Sequence, residues 1–335
     1  MASVAIIHSR NAIVLYASSI EIPVWKYMQN PAKTIAVCFS GEQWTDPPLD
    51  EENWRTAYGD LGEEITKRGH RFWVVRHAAS YRGDNHFAGG WEFRDGSFVQ
   101  NSDDCFADLV INKSRDFMPR GHVHVINNPI FSAICENKWA TVKMFPDLFP
   151  ASYLAATADE FQAALRKLQT PIVVAKPLTG SGGNGVIIES KQDIGRRTLC
   201  YPIIVQEFLD SSAGIPGFVS TYFDLRMIIA GGELIFTFTR SPARGRLLSN
   251  TSQGGYMMMM QPEEVPMAAQ ALYERIDAAF SAYPDRLYAI DCTRNAEGEW
   301  KLIELNDQPG IQTRMECGSR ADAYFDSLTR FLLRA

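Results

Sequence analysis

Clusters and alternations of apolar positions split the chain into a first run of strands and helices and a longer second run around one glycine-rich turn. In the first run, strand-like segments fall at 4–7, 12–17, 34–39, 72–75, 107–112 and 122–126. Between them Trp54, Tyr58, Leu61 and Ile65 recur at helical spacing, and the pattern stops at Gly69 after Lys67 and Arg68, as a helix C-terminus should. Asp95-Gly96 between Phe93 and Phe98 predicts a tight hairpin. Residues 129–144 read as a helix or a helix pair, and 157–168 as an amphipathic helix with Thr157 as N-cap and Phe161, Leu165 and Leu168 on one side. Two β-branched runs, 172–174 and 186–188, flank the glycine-rich turn. A strand at 203–209 follows, then an antiparallel pair, 223–230 and 234–239, around Gly231-Gly232. Residues 265–283 place Val265, Ala268, Leu272, Ile276, Ala279 and Phe280 on one helical face. Two strands, 287–292 and 300–305, close the pattern around a turn at 295–298.

A length of 335 residues predicts two or three domains. With 46% hydrophobic and 21% charged residues, the composition is that of a globular protein. The net charge of −6 and the scatter of lysines and arginines argue against nucleic acid as a partner. The six cysteines form no C-x-x-C pair and predict reduced, buried thiols rather than disulfides or a zinc site. A basic-then-apolar leader and an apolar run of spanning length are both missing, so the expectation is a cytoplasmic protein without a membrane partner. His122 and His124 share a face, which reads as packing or surface rather than metal ligation.

Candidate chemistry sits in two places. Gly180, Gly182, Gly183 and Gly185 leave backbone N–H groups open to an anion and allow positive φ, with Lys176 leaving the incoming strand just before Pro177. This strand–loop–strand order differs from the P-loop and the dinucleotide fingerprint, both of which open a helix. On the last two strands, Glu304 and Asn306 share a side by period-two spacing, and a hairpin sets Asp291 opposite them. Two carboxylates and an amide oxygen suit Mg²⁺ bound with nucleotide phosphates. Leu302, Ile303 and Leu305 make the strand apolar, so an acidic residue within it calls for a partner.

The order Lys138, Lys176-Pro177, Gly180 to Gly185, Gln206-Glu207-Phe208-Leu209, Asp224-Leu225-Arg226, Asn250 with Gly254-Gly255, Asp291 and Glu304-Leu305-Asn306 resembles the ATP-grasp superfamily. The similarity is to the branch holding the ribosomal-protein glutamate ligases and bacterial glutathione synthetase, over roughly residues 127–312. It implies a mixed α/β and α+β architecture: a pre-ATP-grasp α/β domain (1–126), then an ATP-grasp fold of a small central subdomain (127–208) and a large C-terminal one (209–335) sandwiching ATP. It implies that Lys138 and Lys176 hold phosphates and that Gly180, Ser181, Gly182, Gly183 and Gly185 close over them. Gln206, Glu207, Phe208 and Leu209 match the adenine segment, and Asp210 stands for the ribose contact. Arg226 and Arg240 match arginines facing the transferred phosphoryl group and the carboxyl substrate. Arg244, Arg246, Asn250, Gly254 and Gly255 fall on the substrate side, and Asp291, Glu304 and Asn306 match ligands of Mg²⁺, with Mn²⁺ as an alternative. Two departures also face the substrate: Ser249 where relatives often carry arginine, and Asp307-Gln308-Pro309-Gly310 where they carry a small residue before Pro-Gly.

Such a site implies an ATP-dependent carboxylate–amine ligase that works through an acylphosphate and releases ADP and phosphate. Its partners would be a small-molecule carboxylate and an amine, an amino acid or peptide, and self-association would run through the first domain. A kinase on the same scaffold and an ATP-binding scaffold without turnover are the alternatives. Specificity is expected from the loops 41–52, 81–98 and 241–255, although Tyr81, Phe87, Trp91 and Phe93 read more simply as packing.

Overall fold

The computed structural model describes residues 6–9, 12–17, 20–21, 31–180, 182–247 and 255–335. Of the expected first strand, 4–7, the described part belongs to Ile6–Ser9, which with Ala12–Ala17 and Ile20–Glu21 forms a small antiparallel sheet.

The next sheet runs Val125–Ile126, Leu109–Asn112, Thr34–Phe39, Arg71–Arg76 in parallel, then turns antiparallel at His86–Arg94. His86–Arg94 and Ser97–Phe106 form the expected hairpin, with Asp95 and Gly96 at φ 49° and 80°. Two positive φ angles match the twist of the flanking strands. At 122–126 only Val125–Ile126 is a strand, because Asp84 captures the His122 amide at 2.8 Å before pairing begins. His124 meets Asp285 at the surface instead.

Ser152–Ala155, Ile203–Glu207, Ile172–Pro177 and Ile187–Ser190 form an antiparallel sheet in that order. Helix Ala158–Lys167 packs on it, and the Thr157 hydroxyl accepts from the Glu160 amide, as the N-cap reading required. A five-stranded antiparallel sheet runs Tyr256–Met259, Glu233–Ser241, Asp224–Ala230, Leu287–Arg294, Trp300–Asn306.

Period-two alternation gives this last sheet two buried faces. Ile228, Ala230, Phe236 and Phe238 enter a core with the first unit's Tyr58, Leu61 and Phe72 and with helix Ala321–Arg334. Leu225, Met227, Ile229 and Ile290 enter the opposite core with helices Pro129–Glu136, Lys138–Met144 and Met267–Ala279. The helix pair therefore packs on this sheet and not on the smaller one. The Met267–Ala279 helix starts after Pro266, and its buried stripe with the flanking Val265 and Phe280 runs through Ala269, Leu272 and Ile276. Ala268 and Ala279, expected on that stripe, are exposed, since each lies one residue, about 100° of rotation, off the face. The cysteines are free thiols, and Cys200 departs from the expectation by being exposed. Among the described residues no helix is long and apolar enough to cross a membrane.

Candidate active site

Asn137 both ends one helix and begins the next, its side chain accepting from the amides of Trp139 and Ala140, each at 3.1 Å. The break sets Lys138 at the start of the second helix, where its amide reaches Leu178 at 2.8 Å and its ammonium contacts the Gly180 carbonyl. Its ammonium also stands 3.6 Å from Glu304. Gly180, Gly182, Gly183 and Gly185 all adopt positive φ, as their role in the turn demands. A Cβ on Gly185 would also touch the Pro177 ring at 3.4 Å.

Lys176 comes off its strand into the interior, 5% exposed, with only the Ile303 carbonyl at 3.1 Å as a hydrogen-bond partner among the described residues. Burial lowers its pKa to about 8, with Glu304 opposing the shift and Lys138 adding to it. A cation held this way favours an arriving anion.

On the five-stranded sheet Asp291 stands opposite Glu304 in register, and Asn306 lies two residues beyond Glu304 on the same side. Asp291 is buried, gripped by Arg226 through two bonds of 2.7 and 2.6 Å and by Arg240 at 2.8 Å. Burial alone would raise its pKa, but Arg226 and Arg240 overcome that and hold it at about 2. Arg240 also binds Asp224 at 2.7 Å, and burial pushes that carboxyl up.

Two clefts meet here. The inner one has apolar walls from Val174, Val186, Ile188, Leu209 and Tyr222 and holds Lys176 and Asp291. Gln206, Glu207 and Phe208 line it as well. Gln206 is fixed by Ser152 at 2.7 Å, and Glu207 accepts from the Gln169 amide at 2.6 Å. The outer cleft is lined by Arg226, Asn306 and Asp307, with Glu51 and Trp54 from the first unit. Lys138, Gly180, Arg240 and Glu304 line both.

Other expected residues are not gathered there. Asp210 is exposed and accepts from the Ser212 amide at 3.0 Å, closing a turn of its own, while its neighbour Ser211 lines the inner cleft. Arg244 and Arg246 are exposed and line neither cleft, where Leu247 does. Gly255 borders the strand Tyr256–Met259, and Ser181, Asn250 and Gly254 lie outside the described residues. Of the three loops, 41–52 reaches the outer cleft through Glu51. The aromatic residues of 81–98 pack instead: Trp91 and Phe98 lie 5.5 and 5.2 Å from Trp44.

Sequence reasoning missed Arg115, Glu136 and Gln312 in the outer cleft. Arg115 carries no motif; its one trace in the sequence is Asp307, which departs from the family's turn and pairs with Arg115 through two bonds of 2.8 Å.

A model of the RimK-like ATP-grasp domain matches residues 137–324. A probable alpha-L-glutamate ligase of Thioalkalivibrio sulfidiphilus is 25% identical over 169 residues, 49% of this chain and 51% of that protein. One from Syntrophotalea carbinolica is 28% identical over 172 residues, 48% and 50% of the two chains. The chain thus matches these curated relatives over about half of their length. A RimK domain ATP-grasp protein from Sphaerobacter thermophilus superposes with a TM-score of 0.59 at 16% identity, over 89% of this chain and 99% of that one. D-alanyl-alanine synthetase A from Vibrio cholerae O1 gives 0.57 at 13%, over 90% and 99%. Such likenesses establish a common fold.

Proposed function

The chain belongs to the RimK-like ATP-grasp domain family, and we propose that it is an ATP-dependent carboxylate–amine ligase, joining an amino acid or peptide to an amine with release of ADP and phosphate. The observation that carries this reading is the shared wall: Lys138, Gly180, Arg240 and Glu304 line both an apolar inner cleft and a polar outer one. A nucleotide base fits between the apolar walls, and the triphosphate then ends at the shared wall, where a carboxylate in the outer cleft can meet it.

The chain's own groups do the following. Lys176 and Lys138 neutralise phosphate charge. The glycine turn covers the phosphates with backbone N–H groups and keeps water away. Arg226 and Arg240 orient the reacting carboxylate, whose oxygen attacks the γ-phosphorus as the bond to the β-phosphate oxygen breaks. An amine then attacks the acylphosphate carbon; the C–O bond breaks, phosphate leaves, and the amine's proton passes to solvent.

The donor set fits a divalent ion. Among the described residues Asp291 Oδ1 accepts one bond, from Arg226, and Asn306 Oδ1 one, from the Gln308 amide, so each keeps a lone pair beside the Glu304 carboxylate. Asp291, Glu304 and Asn306 would hold Mg²⁺, with Mn²⁺ as an alternative, which when bound supplies charge neutralisation across the transferring phosphates.

The test is coupled ADP and phosphate release over a screen of amino acids and dipeptides. Release that requires both a carboxylate and an amine supports the proposal. AMP with pyrophosphate, or a stable phosphorylated product formed without an amine, overturns it.

A further inference from the structure

On the side of the first unit the outer cleft is bordered by Arg115, half-exposed and reaching across to a buried carboxylate, Asp307. We propose that Arg115 is a carboxylate subsite: it binds a substrate carboxylate other than the one being activated. One substrate is then a free amino acid or a peptide with a free C-terminus, and not a simple monoamine or monoacid. This rests on the ligase reading above and narrows its substrate class.

The geometry supports a docking group rather than a chance surface charge. The pair with Asp307 is a fork, Nη1 to Oδ2 and Nη2 to Oδ1, each 2.8 Å. That fork uses two of the five guanidinium N–H groups, and Glu136 at 3.7 Å lies beyond hydrogen-bond reach. The remaining donors have no hydrogen-bond partner among the described residues, on a side chain 43% exposed that lines the cleft.

The backbone that carries Arg115 is tied down on both sides. Lys113 donates to the Pro309 carbonyl at 2.6 Å. The Ser114 hydroxyl lies 2.7 Å from Ser40 and 3.0 Å from His77. Asp116 accepts from Ser40 at 2.6 Å. A guanidinium fixed in this way loses little further freedom on binding a planar anion, which is where preorganised recognition gains.

The local charges alternate in sign. Lys113 and Arg115 are opposed by Asp307 and, 3.7 Å from Arg115, by Glu136, so the four side chains balance while Lys113 is protonated. Burial lowers the Lys113 pKa to about 8, with Asp307 supporting the charged form and Arg115 opposing it, so it stays mostly protonated at neutral pH. Glu136, nearby, offers an acceptor for an ammonium group, so the two together fit the two ends of an amino acid. Arg226 and Arg240, by contrast, are already engaged with Asp291, which lines the inner cleft, and Arg240 lines both clefts, so the pair stands at the shared wall where the reacting carboxylate belongs.

The experiment uses the full chain and compares common amino acids with their α-carboxamides and decarboxylated amines as amine substrate, and glutamate and aspartate, whose side-chain carboxylate remains for activation, with their α-carboxamides and α-decarboxylated analogues as carboxylate substrate. Expected is a preference for the free carboxylate of about 10- to 100-fold in kcat/KM, the worth of one charge-assisted fork. The substrate whose KM carries that preference, acceptor or donor, is the one that meets Arg115. In R115A/D307A, which removes both charges and leaves no buried carboxylate unpaired, the preference falls to near one through KM, while kcat and the KM for ATP hold. R115K, which keeps the charge without the fork, retains part of the preference. The same pairs measured by calorimetric binding test the claim without turnover. A wild type indifferent to the α-carboxylate, or a preference that survives in both variants, overturns the role of Arg115. Absence of ADP release with every carboxylate–amine pair instead overturns the ligase reading, and the binding arm still decides Arg115.

Discussion

Replacing Lys176 by methionine should stabilise the protein while removing its response to ATP. Lys176 is buried, and burial moves its pKa from the ordinary 10.5 to about 8. At 1.36 kcal/mol per pH unit, holding it charged at neutral pH costs about 3 kcal/mol. Methionine fills a similar volume without charge but leaves the Ile303 carbonyl without its donor, a loss of about 1 kcal/mol. The net expectation is a gain of about 2 kcal/mol for K176M at pH 7. The sign of its pH dependence follows from linkage. Between the folded and unfolded pKa values the unfolded lysine binds more protons than the folded one, so the wild type gains stability as pH rises from about 8 towards 10.5. The advantage of K176M must therefore shrink over that window and vanish near pH 10. Urea unfolding of both proteins at pH 7 and pH 10, with and without Mg-ATP, measures this. The wild type should be stabilised by Mg-ATP and the variant should not. A variant less stable than the wild type at pH 7, or a gain that persists at pH 10, refutes the reasoning.

Three further substitutions test the site and the core beneath it. Asp291→Asn should abolish turnover and cost about 3 kcal/mol, because Arg226 and Arg240 lose a buried counter-charge; Glu304→Gln should abolish turnover with little change in urea midpoint. Near-normal rates in either would refute the metal assignment. Leu328→Ala removes a fully buried side chain from the core shared by the first unit and the five-stranded sheet, and should cost about 3 kcal/mol. Fluorescence and circular dichroism should still report one coincident unfolding transition, and separate transitions would show that the shared core does not couple the two parts.

Local signals determined much of this protein. The glycine spacing of 180–185 allowed the positive φ angles that are found, Thr157 capped its helix, Asp95-Gly96 made its hairpin, and the period-two placement of Glu304 and Asn306 put both on one side of a strand facing Asp291. Each depends on residues close in sequence or on one hairpin register, where backbone geometry leaves few alternatives. Tertiary structure decided the rest. The phase of the Met267–Ala279 stripe and the packing of the 81–98 aromatics follow from partners far along the chain. The Arg115–Asp307 fork joins residues 192 positions apart. No spacing rule announces such a pair: its energy comes from burying one carboxylate against one guanidinium, and only the folded chain says which two meet.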